Sequence, residues 1–322
     1  MTRLMRNGWI LGLAAMFALL LVATKLIQPN FGTSGLESLA RAALPFAFAT
    51  AAQAIVVIAG GIDLSIASMM AVASVTSARL MEGASDGQVI PIVLFVLALG
   101  ALMGAINGAL IVLTRVPDIV VTLAMLFVWE GVALLILRAP GGAAADWLRG
   151  LIVGGLHVPG LPDGLTGWIP KSLVVLLVAV ALVWLPLRRS KLGLSLYAIG
   201  SDPMAAFRSG VAVGRTRIVA YSLAGLLAAM GGLGLTMSTG IGEPIPGPYL
   251  LASVAAVVLG GVVLGGGRGG LLGPIIAVFV LRLVRMDLTL MSVDPNVTTI
   301  IEGTIMVIVV MFGGILAVRG RK

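Results

Sequence analysis

The sequence predicts an all-α, polytopic membrane protein with about ten transmembrane helices, some of them broken. Hydrophobic residues make up 59% of the 322 residues, whereas charged residues make up only 11%. So little polar surface cannot cover a water-soluble domain of this size, so most of the chain must face lipid. Apolar runs long enough for a hydrocarbon core of roughly 30 Å recur along the chain. We therefore expect a single transmembrane domain over residues 1–322.

Ten apolar segments follow one another along the sequence. The first is longer than the core of a signal peptide and no small-residue cleavage site follows it, so we expect it to be retained. Several of the others are short or interrupted by glycine. The ten segments are residues 9–27, 39–59, 64–80, 89–113, 116–137, 173–187, 218–238, 250–264, 271–284 and 297–318.

Basic residues predict the orientation of these segments, because Lys and Arg are enriched in cytoplasmic loops. With the N-terminus inside, alternate crossings place Arg115, the segment 188–217, Arg268 and the basic C-terminal tail in the cytoplasm. Three basic residues in or beside a long outer loop at 138–171 are exceptions: Arg138, Arg149 and Lys171. The net charge of +8 is thus explained by topology, and no nucleic-acid partner is expected.

The segment 188–217 is the longest polar interruption of the chain, with six Lys or Arg residues and one acid, Asp202. Asp202 followed by Pro203 is a typical helix start, and Gly210 is a typical stop. The helix so bounded, residues 203–209, is too short to be stable alone in water. Its apolar residues are Met204 and Phe207, beside the small Ala205 and Ala206. This face either folds back on the chain or docks a cytosolic partner.

The string GGIDLS, residues 60–65, joins two apolar segments. The paired Gly60 and Gly61 break a helix and expose backbone groups, which is tolerated in a membrane only where the backbone is buried in protein or lines a cavity. Asp63 is costly at membrane depth and needs a partner, water or a position near the surface. Asp63 and Ser65 are interpreted either as caps of the next helix or as part of a translocation pathway.

Polar residues also lie inside the apolar segments. Gln53, Asn107 and Thr122 either line a pathway or tie helices together by hydrogen bonds, and the second interpretation is favoured for each one alone. Glu302 is more costly in a membrane helix and requires an ionic partner or a cavity, for which Arg282 is a candidate.

A glycine-rich run at 255–273 is a third distinctive stretch. A phosphate-binding P-loop needs Gly-Lys followed by Ser or Thr, and the sequence contains no Gly-Lys pair. No nucleotide site is therefore expected in this chain. The glycines are interpreted as sites of close helix packing: Gly260, Gly261, Gly266, Gly267, Gly269 and Gly273.

These three stretches resemble the ribose, xylose and arabinose permeases of ATP-binding-cassette (ABC) importers. The polar loop carries Gly200, Ala205, Ala206 and Gly210, GGIDLS is close to a family signature, and the glycine run follows GG-x-x-L-x-GG-x-G-x-x-x-G. The sequence departs from the family at Ile66, Ala67 and Val263, so helix packing after GGIDLS and a hydroxyl role at 263 are in question.

The resemblance implies an ABC-importer permease fold in the bacterial inner membrane. It implies that loop 188–217 seats a short coupling helix in a cytoplasmic ATPase subunit, which binds ATP and magnesium. This chain itself would hold no cofactor or metal. Further implied partners are a second permease, identical or paralogous, and a periplasmic solute-binding protein that delivers a monosaccharide or a related polyol.

Other function classes are less well supported by the sequence. An enzyme would need a catalytic constellation, but the chain has no Cys, a single His157, and neither HExxH nor GxSxG. A secondary transporter would be consistent with broken helices and intramembrane acids, yet it has no need of the capped cytosolic helix. Branched-chain amino acids or another small solute such as a nucleoside are the alternative substrates.

Overall fold

The computed structural model describes residues 3–157, 166–245, 247 and 249–319. These residues form thirteen α-helices joined by mostly short loops, so the predicted all-α class is confirmed. In chain order the helices are α1 (Arg3–Ile27), α2 (Thr33–Ile58), α3 (Ile66–Met81), α4 (Asp86–Thr114), α5 (Asp118–Ile136), α6 (Asp146–Gly150), α7 (Lys171–Arg189), α8 (Lys191–Ser201), α9 (Pro203–Arg208), α10 (Val213–Thr239), α11 (Tyr249–Leu259), α12 (Leu272–Leu290) and α13 (Pro295–Arg319).

Ten of these helices overlap the ten apolar segments of the sequence, but not all meet the length and composition of a span. Among the described residues six helices do: α1, α2, α4, α5, α7 and α10. Three more, α3, α11 and α13, are apolar over only 10 to 17 described residues. The fourth, α12, contains Arg282, Arg285 and Asp287. The structure therefore supports a multi-pass membrane protein.

The centre of the bundle is built around α10, which packs against both α2 and α3. Every residue of α2 from Ala43 to Ile58 is buried. Helix α10 also lies directly on α4, where Gly104 and Gly108 face its backbone. A Cβ atom at Gly108 would be 2.8 Å from the Cα of Ile218. Small residues allow this close approach, which replaces the hydrophobic driving force that is missing between helices in lipid.

Large apolar side chains cover the outside of the bundle on α1, α4, α5 and α7. Leu19, Leu94, Phe127 and Leu182 are examples, and each is exposed in the isolated chain. A water-soluble protein would not present such a continuous apolar surface. These four helices therefore face lipid or another membrane subunit.

The loops of the bundle gather at two ends. At the end that we call the basic end, Gly60, Gly200 and Gly266 meet, and the indole N–H of Trp9 in α1 donates to Leu259 O at 2.9 Å. Arg115 also terminates α4 here. At the opposite end an antiparallel bridge joins Gly141 to Gly242. The basic residues Arg321 and Lys322 lie outside the described residues.

Two helices that the sequence did not predict and one early helix end are the main differences from the sequence prediction. Helix α8 was not predicted within the polar segment, although its start is capped by Ser190, whose hydroxyl accepts from Gly193 N–H at 3.1 Å. Helix α11 ends at Leu259 instead of 264, because the following glycines include Gly261 with a φ of 82°. The long loop 138–171 contains the short helix α6, and its residues 158–165 lie outside the described part of the chain.

Candidate functional site

Helix α9 begins in the way that the sequence predicts. Oδ1 of Asp202 accepts hydrogen bonds from the N–H groups of Met204, at 2.9 Å, and Ala205, at 3.0 Å. Pro203 occupies the first helical position, where its missing N–H costs nothing. The predicted cap is therefore confirmed, and it satisfies two of the donors that a helix start leaves open.

The end of α9 is also fixed by local hydrogen bonds. Gly210 has a φ of 83°, which lets the chain turn back over the last carbonyl groups. The N–H of Val211 donates to Ala206 O and that of Gly210 donates to Phe207 O, both at 3.0 Å. This pair of bonds is a Schellman motif. A six-residue helix that would not persist alone is thus closed at both ends.

Some side chains of α9 are buried in the protein and others are exposed to solvent. Ala206 is only 5% exposed and packs inside the chain, whereas Met204 and Phe207 are 60% and 66% exposed. Of the two alternatives that the sequence left open, Ala206 follows the first: its methyl group packs on its own chain and offers no room to a partner. The large apolar side chains do not fold back, and they form an uncovered surface in the described chain.

The break between α2 and α3 is held open by side chains of α4, α5 and α10. Asp118 Oδ2 accepts from Ile62 N–H at 2.6 Å and from the Tyr221 hydroxyl at 3.2 Å. Thr122 Oγ1 accepts from Leu64 N–H at 3.1 Å. Each bond satisfies a backbone or hydroxyl group that would be costly if left unpaired in a buried loop. Thr122 thus ties α5 to the break, in agreement with its interpretation as a hydrogen-bonding residue.

Asp63 lies at the centre of this break. Its Oδ1 accepts from Ser65 N–H at 2.8 Å and from Ser65 Oγ at 2.6 Å. Helix α3 begins at Ile66, so Asp63 closes the turn before the helix and does not cap it. Asn107 Nδ2 donates to Ser65 Oγ at 2.7 Å, and Trp129 Nε1 donates to Asn107 Oδ1 at 3.2 Å. A chain of polar groups therefore extends from the loop into α4 and α5.

Gln53 of α2 holds the backbone of Asp63 in the break between α2 and α3. In the amide orientation that satisfies both of its polar atoms, Nε2 donates to Asp63 O at 2.8 Å and Oε1 accepts from Asp63 N–H at 3.3 Å. Asp63 is only 2% exposed, and its Oδ2 has no hydrogen-bond partner among the described residues. Burial raises the pKa of this loop carboxyl to about 6, against the lowering effect of its bonds with Ser65.

The three distinctive stretches of the sequence meet at the basic end. Gly200, at the end of α8, lies against Gly60, and a Cβ atom at Gly60 would be 3.3 Å from the Cα of Gly200. A Cβ at Gly266 would be 2.7 Å from the Cα of Gly60. The N–H of Gly267 donates to Ile58 O at 2.9 Å. We call this contact of Gly60, Gly200, Gly266 and Gly267 the glycine junction.

The other glycines of the run have separate structural places. Gly260 and Gly273 face each other where α11 approaches α12, with backbone atoms too close for a side chain on either. Gly261 lies beside the indole of Trp9, and Gly269 O accepts from the Tyr197 hydroxyl at 2.9 Å. These contacts fix the loop between α11 and α12 to α1 and α8.

Asp118, Trp129 and Tyr221 belong to the site and were missed from the sequence. Asp118 follows Pro117 and has the appearance of an ordinary acid in a first helical turn. Trp129 and Tyr221 are aromatic residues within apolar helices, a position typical of simple packing. Of these three residues, only Asp118 could have been recognised from the sequence, because it is an acid next to a predicted span.

The fold and the site define a multi-pass membrane protein of the permease class. Its outer helices face lipid, and the capped, exposed helix α9 lies next to the glycine junction. More specifically, the chain belongs to the family described as "Branched-chain amino acid transport system / permease component", whose model matches residues 35–310. No solved structure matches the chain.

Curated relatives agree with this family. The chain is similar to the Autoinducer 2 import system permease protein LsrD of Escherichia coli strain K12, with 30% identity over 321 residues, covering 95% of this chain and 92% of that protein. The LsrD proteins of Shigella flexneri and Escherichia coli O157:H7 align with the same identity and coverage. The chain is thus a permease subunit of an ABC importer in the inner membrane, and it is not an enzyme. Such a subunit implies an ATPase and a periplasmic binding protein.

Proposed function

We propose that this chain passes a monosaccharide or a related polyol from a periplasmic binding protein into the cytoplasm, through a single domain over residues 1–322 that crosses the membrane about ten times. The resemblance of GGIDLS to sugar permeases supports the substrate class, as does the similarity to proteins named for autoinducer 2 import. The family description favours branched-chain amino acids as the alternative substrates.

The basic end is cytoplasmic in this proposal, with both termini on that side. Arg115 and the basic residues around α8 and α9 support this orientation, because cytoplasmic loops are rich in Lys and Arg. The opposite end, with the loop 138–171, then faces the periplasmic binding protein. A second permease, identical or paralogous, completes the membrane part of the importer.

The observation that carries the proposal is the exposure of Met204 and Phe207 on a helix closed at both ends. We infer that α9 is the coupling helix and that these side chains enter a groove of the ATPase, which binds ATP and magnesium. The buried Ala206 and the glycine junction anchor the helix, so movement of the ATPase would be transmitted to the break between α2 and α3.

Transport by the assembled importer tests the function. The chain is purified with its ATPase and binding protein and placed in proteoliposomes, and uptake of labelled ribose, xylose, arabinose and autoinducer 2 is measured. We expect uptake of at least one of them that requires ATP. Uptake of leucine or adenosine alone would assign an alternative substrate. Uptake driven by an ion gradient without ATP would favour a secondary transporter.

A further inference from the structure

Helix α12 carries two arginines, Arg282 and Arg285, after an apolar first half. Arg282 is the eleventh of its 19 residues and so lies about 15 Å along the helix from its start. Arg285 follows one turn later on the same face. A charged side chain at such a depth is costly and usually faces the interior of the bundle, where it pairs with another group or contacts water or a solute.

The two arginines are paired differently. Arg285 Nη1 lies 3.3 Å from Glu302 Oε2 on α13, although the sequence suggested Arg282 as the partner of Glu302. Arg282 forms no ion pair with a carboxylate among the described residues, and its Nε is buried without an acceptor. The guanidinium of Arg285 is therefore neutralised by a carboxylate, whereas that of Arg282 interacts with the hydroxyl of Tyr249 and keeps an unused donor only at Nε.

Two aromatic rings lie beside the guanidinium group of Arg282. The Cζ of Arg282 is 5.0 Å from the ring centroid of Phe46 on α2 and 5.6 Å from that of Tyr249 on α11. These cation–π contacts fix the guanidinium plane in place. These side chains line a cleft between α2, α11, α12 and α13, which we call the Arg282 cleft. Its lining includes Phe46, Tyr249, Ala252, Arg282, Arg285 and Glu302.

We propose that the Arg282 cleft is a contact site for a hydroxyl-rich solute, such as a pentose or a related polyol, during its passage through the membrane. This inference rests on the proposed function and names residues on the pathway. A largely apolar wall with a few convergent polar groups is the common composition of small-molecule sites. Phe46 and Arg282 lie near the middle of α2 and α12, far from both ends of these two helices.

The presence of both arginines and a glutamate in the cleft favours a hydroxyl-rich solute. A hydroxyl group both donates and accepts hydrogen bonds, and the cleft offers guanidinium donors on Arg282 and Arg285 beside a carboxylate acceptor on Glu302. The rings of Phe46 and Tyr249 cover an apolar face of the solute. A phosphate or a lipid head group would be attracted by the arginines but repelled by Glu302. The cavity in the cleft is about 30 Å³, room for one or two waters, so a pentose would enter only if α13 moved away from α12, which would also release Arg285 and Glu302.

Protection of a single thiol tests for the solute in the cleft. The chain has no Cys, so Ala252→Cys creates its only thiol, in the wall of the cleft. Leu251→Cys is the matched control, because Leu251 is adjacent on α11 but exposed on its surface. In the reconstituted importer we expect ribose, xylose, arabinose or autoinducer 2, whichever is transported, to slow alkylation of Ala252→Cys by N-ethylmaleimide. Labelling of Leu251→Cys should not change.

Transport by Arg282→Gln gives the second measurement. We expect its uptake to fall about tenfold or more, as is typical when a hydrogen bond to a charged group is lost, while the ATPase still co-purifies. Arg282→Lys should lose less. Lack of uptake by the unmodified importer would contradict the proposed function. Normal uptake by Arg282→Gln, or no protection of Ala252→Cys during wild-type uptake, would overturn the site alone. Protection by leucine or inorganic phosphate and by none of the sugars would overturn the ligand class.

Discussion

The backbone N–H of Gly267 donates a hydrogen bond of 2.9 Å to the carbonyl oxygen of Ile58, and this bond joins the glycine-rich loop to the end of α2. Gly200 lies in the same contact, so α8 is joined to both. Backbone-to-backbone contacts of this kind have no flexible side chain that could absorb a displacement. In the proposed coupling, movement of α8 and α9 would therefore be transmitted to the break at residues 59–65.

Replacement of Gly200 by alanine should disrupt this junction. The added methyl group would overlap the carbonyl oxygen of Ile58 and would lie 2.6 Å from the N–H nitrogen of Gly267. Since both obstacles are backbone atoms, we expect a loss of about 1–3 kcal/mol in stability and a strong loss of uptake. Thermal unfolding in detergent and uptake in proteoliposomes measure these effects.

Gly131→Ala is the control for this substitution. Gly131 lies inside α5, where an added Cβ would meet no atom within 4 Å, and alanine is the better helix former. Its stability should be unchanged or slightly higher. Equal behaviour of the two variants would show that the glycine junction does not constrain the chain.

Asp63 should be required as a hydrogen-bond acceptor. Asp63→Ala leaves the N–H and the hydroxyl of Ser65 without their buried acceptor, a loss of about 1–3 kcal/mol for each unpaired group. We expect this variant to reach the membrane but to lose uptake. Asp63→Asn keeps an oxygen in place and should retain much more uptake, measured against the amount of protein in the membrane. Normal uptake by Asp63→Ala would make the carboxylate dispensable.

The hydrogen bonds of Asp118 predict that two substitutions lower the stability of the protein by different amounts. Asp118→Ala leaves Ile62 N–H without its acceptor and removes the partner of the Tyr221 hydroxyl, so we expect a loss of about 1–3 kcal/mol in stability. Tyr221→Phe removes one hydrogen bond and should lose about 1 kcal/mol. The midpoints of thermal unfolding give the order. A Tyr221→Phe variant that is as unstable as Asp118→Ala would contradict the assignment of Ile62 N–H to Asp118.

The start and end of α9 could be predicted because helix caps depend on neighbouring residues. Asp202, Pro203 and Gly210 lie within nine residues, and each acts on the local backbone. The break at Gly60 and Gly61 was predicted for the same reason. These features are encoded locally, and no knowledge of the bundle is needed to recognise them.

The partners of the break could not be predicted, because they come from other helices. Asp118 is 56 positions from Ile62 and 103 positions from Tyr221, and their contact depends on how α5 and α10 pack. The inward direction of Ala206 is similarly decided by the seat of α9 on the rest of the chain. Helix α8 escaped prediction because it lies within the segment that its basic residues led us to interpret as a polar loop, Arg188 to Arg217.

The exposed face of α9 gives the sharpest test of the coupling assignment. Phe207→Glu places a charge on a side chain that is 66% exposed, so the permease itself should fold normally. In a contact with the ATPase, the same charge would be buried without a partner. Each 1.4 kcal/mol lost weakens binding about tenfold, so we expect the ATPase to be lost on co-purification and uptake to fall.

Two further variants distinguish docking from folding. Met291→Glu changes an equally exposed apolar residue at the opposite end of the bundle and should retain the ATPase. Ala206→Glu forces a charge into the seat of α9 and should lower the yield of folded permease, which makes it a test of the chain's own packing. If Phe207→Glu keeps both its ATPase and normal uptake, α9 does not dock the ATPase, and another surface of the basic end must do so.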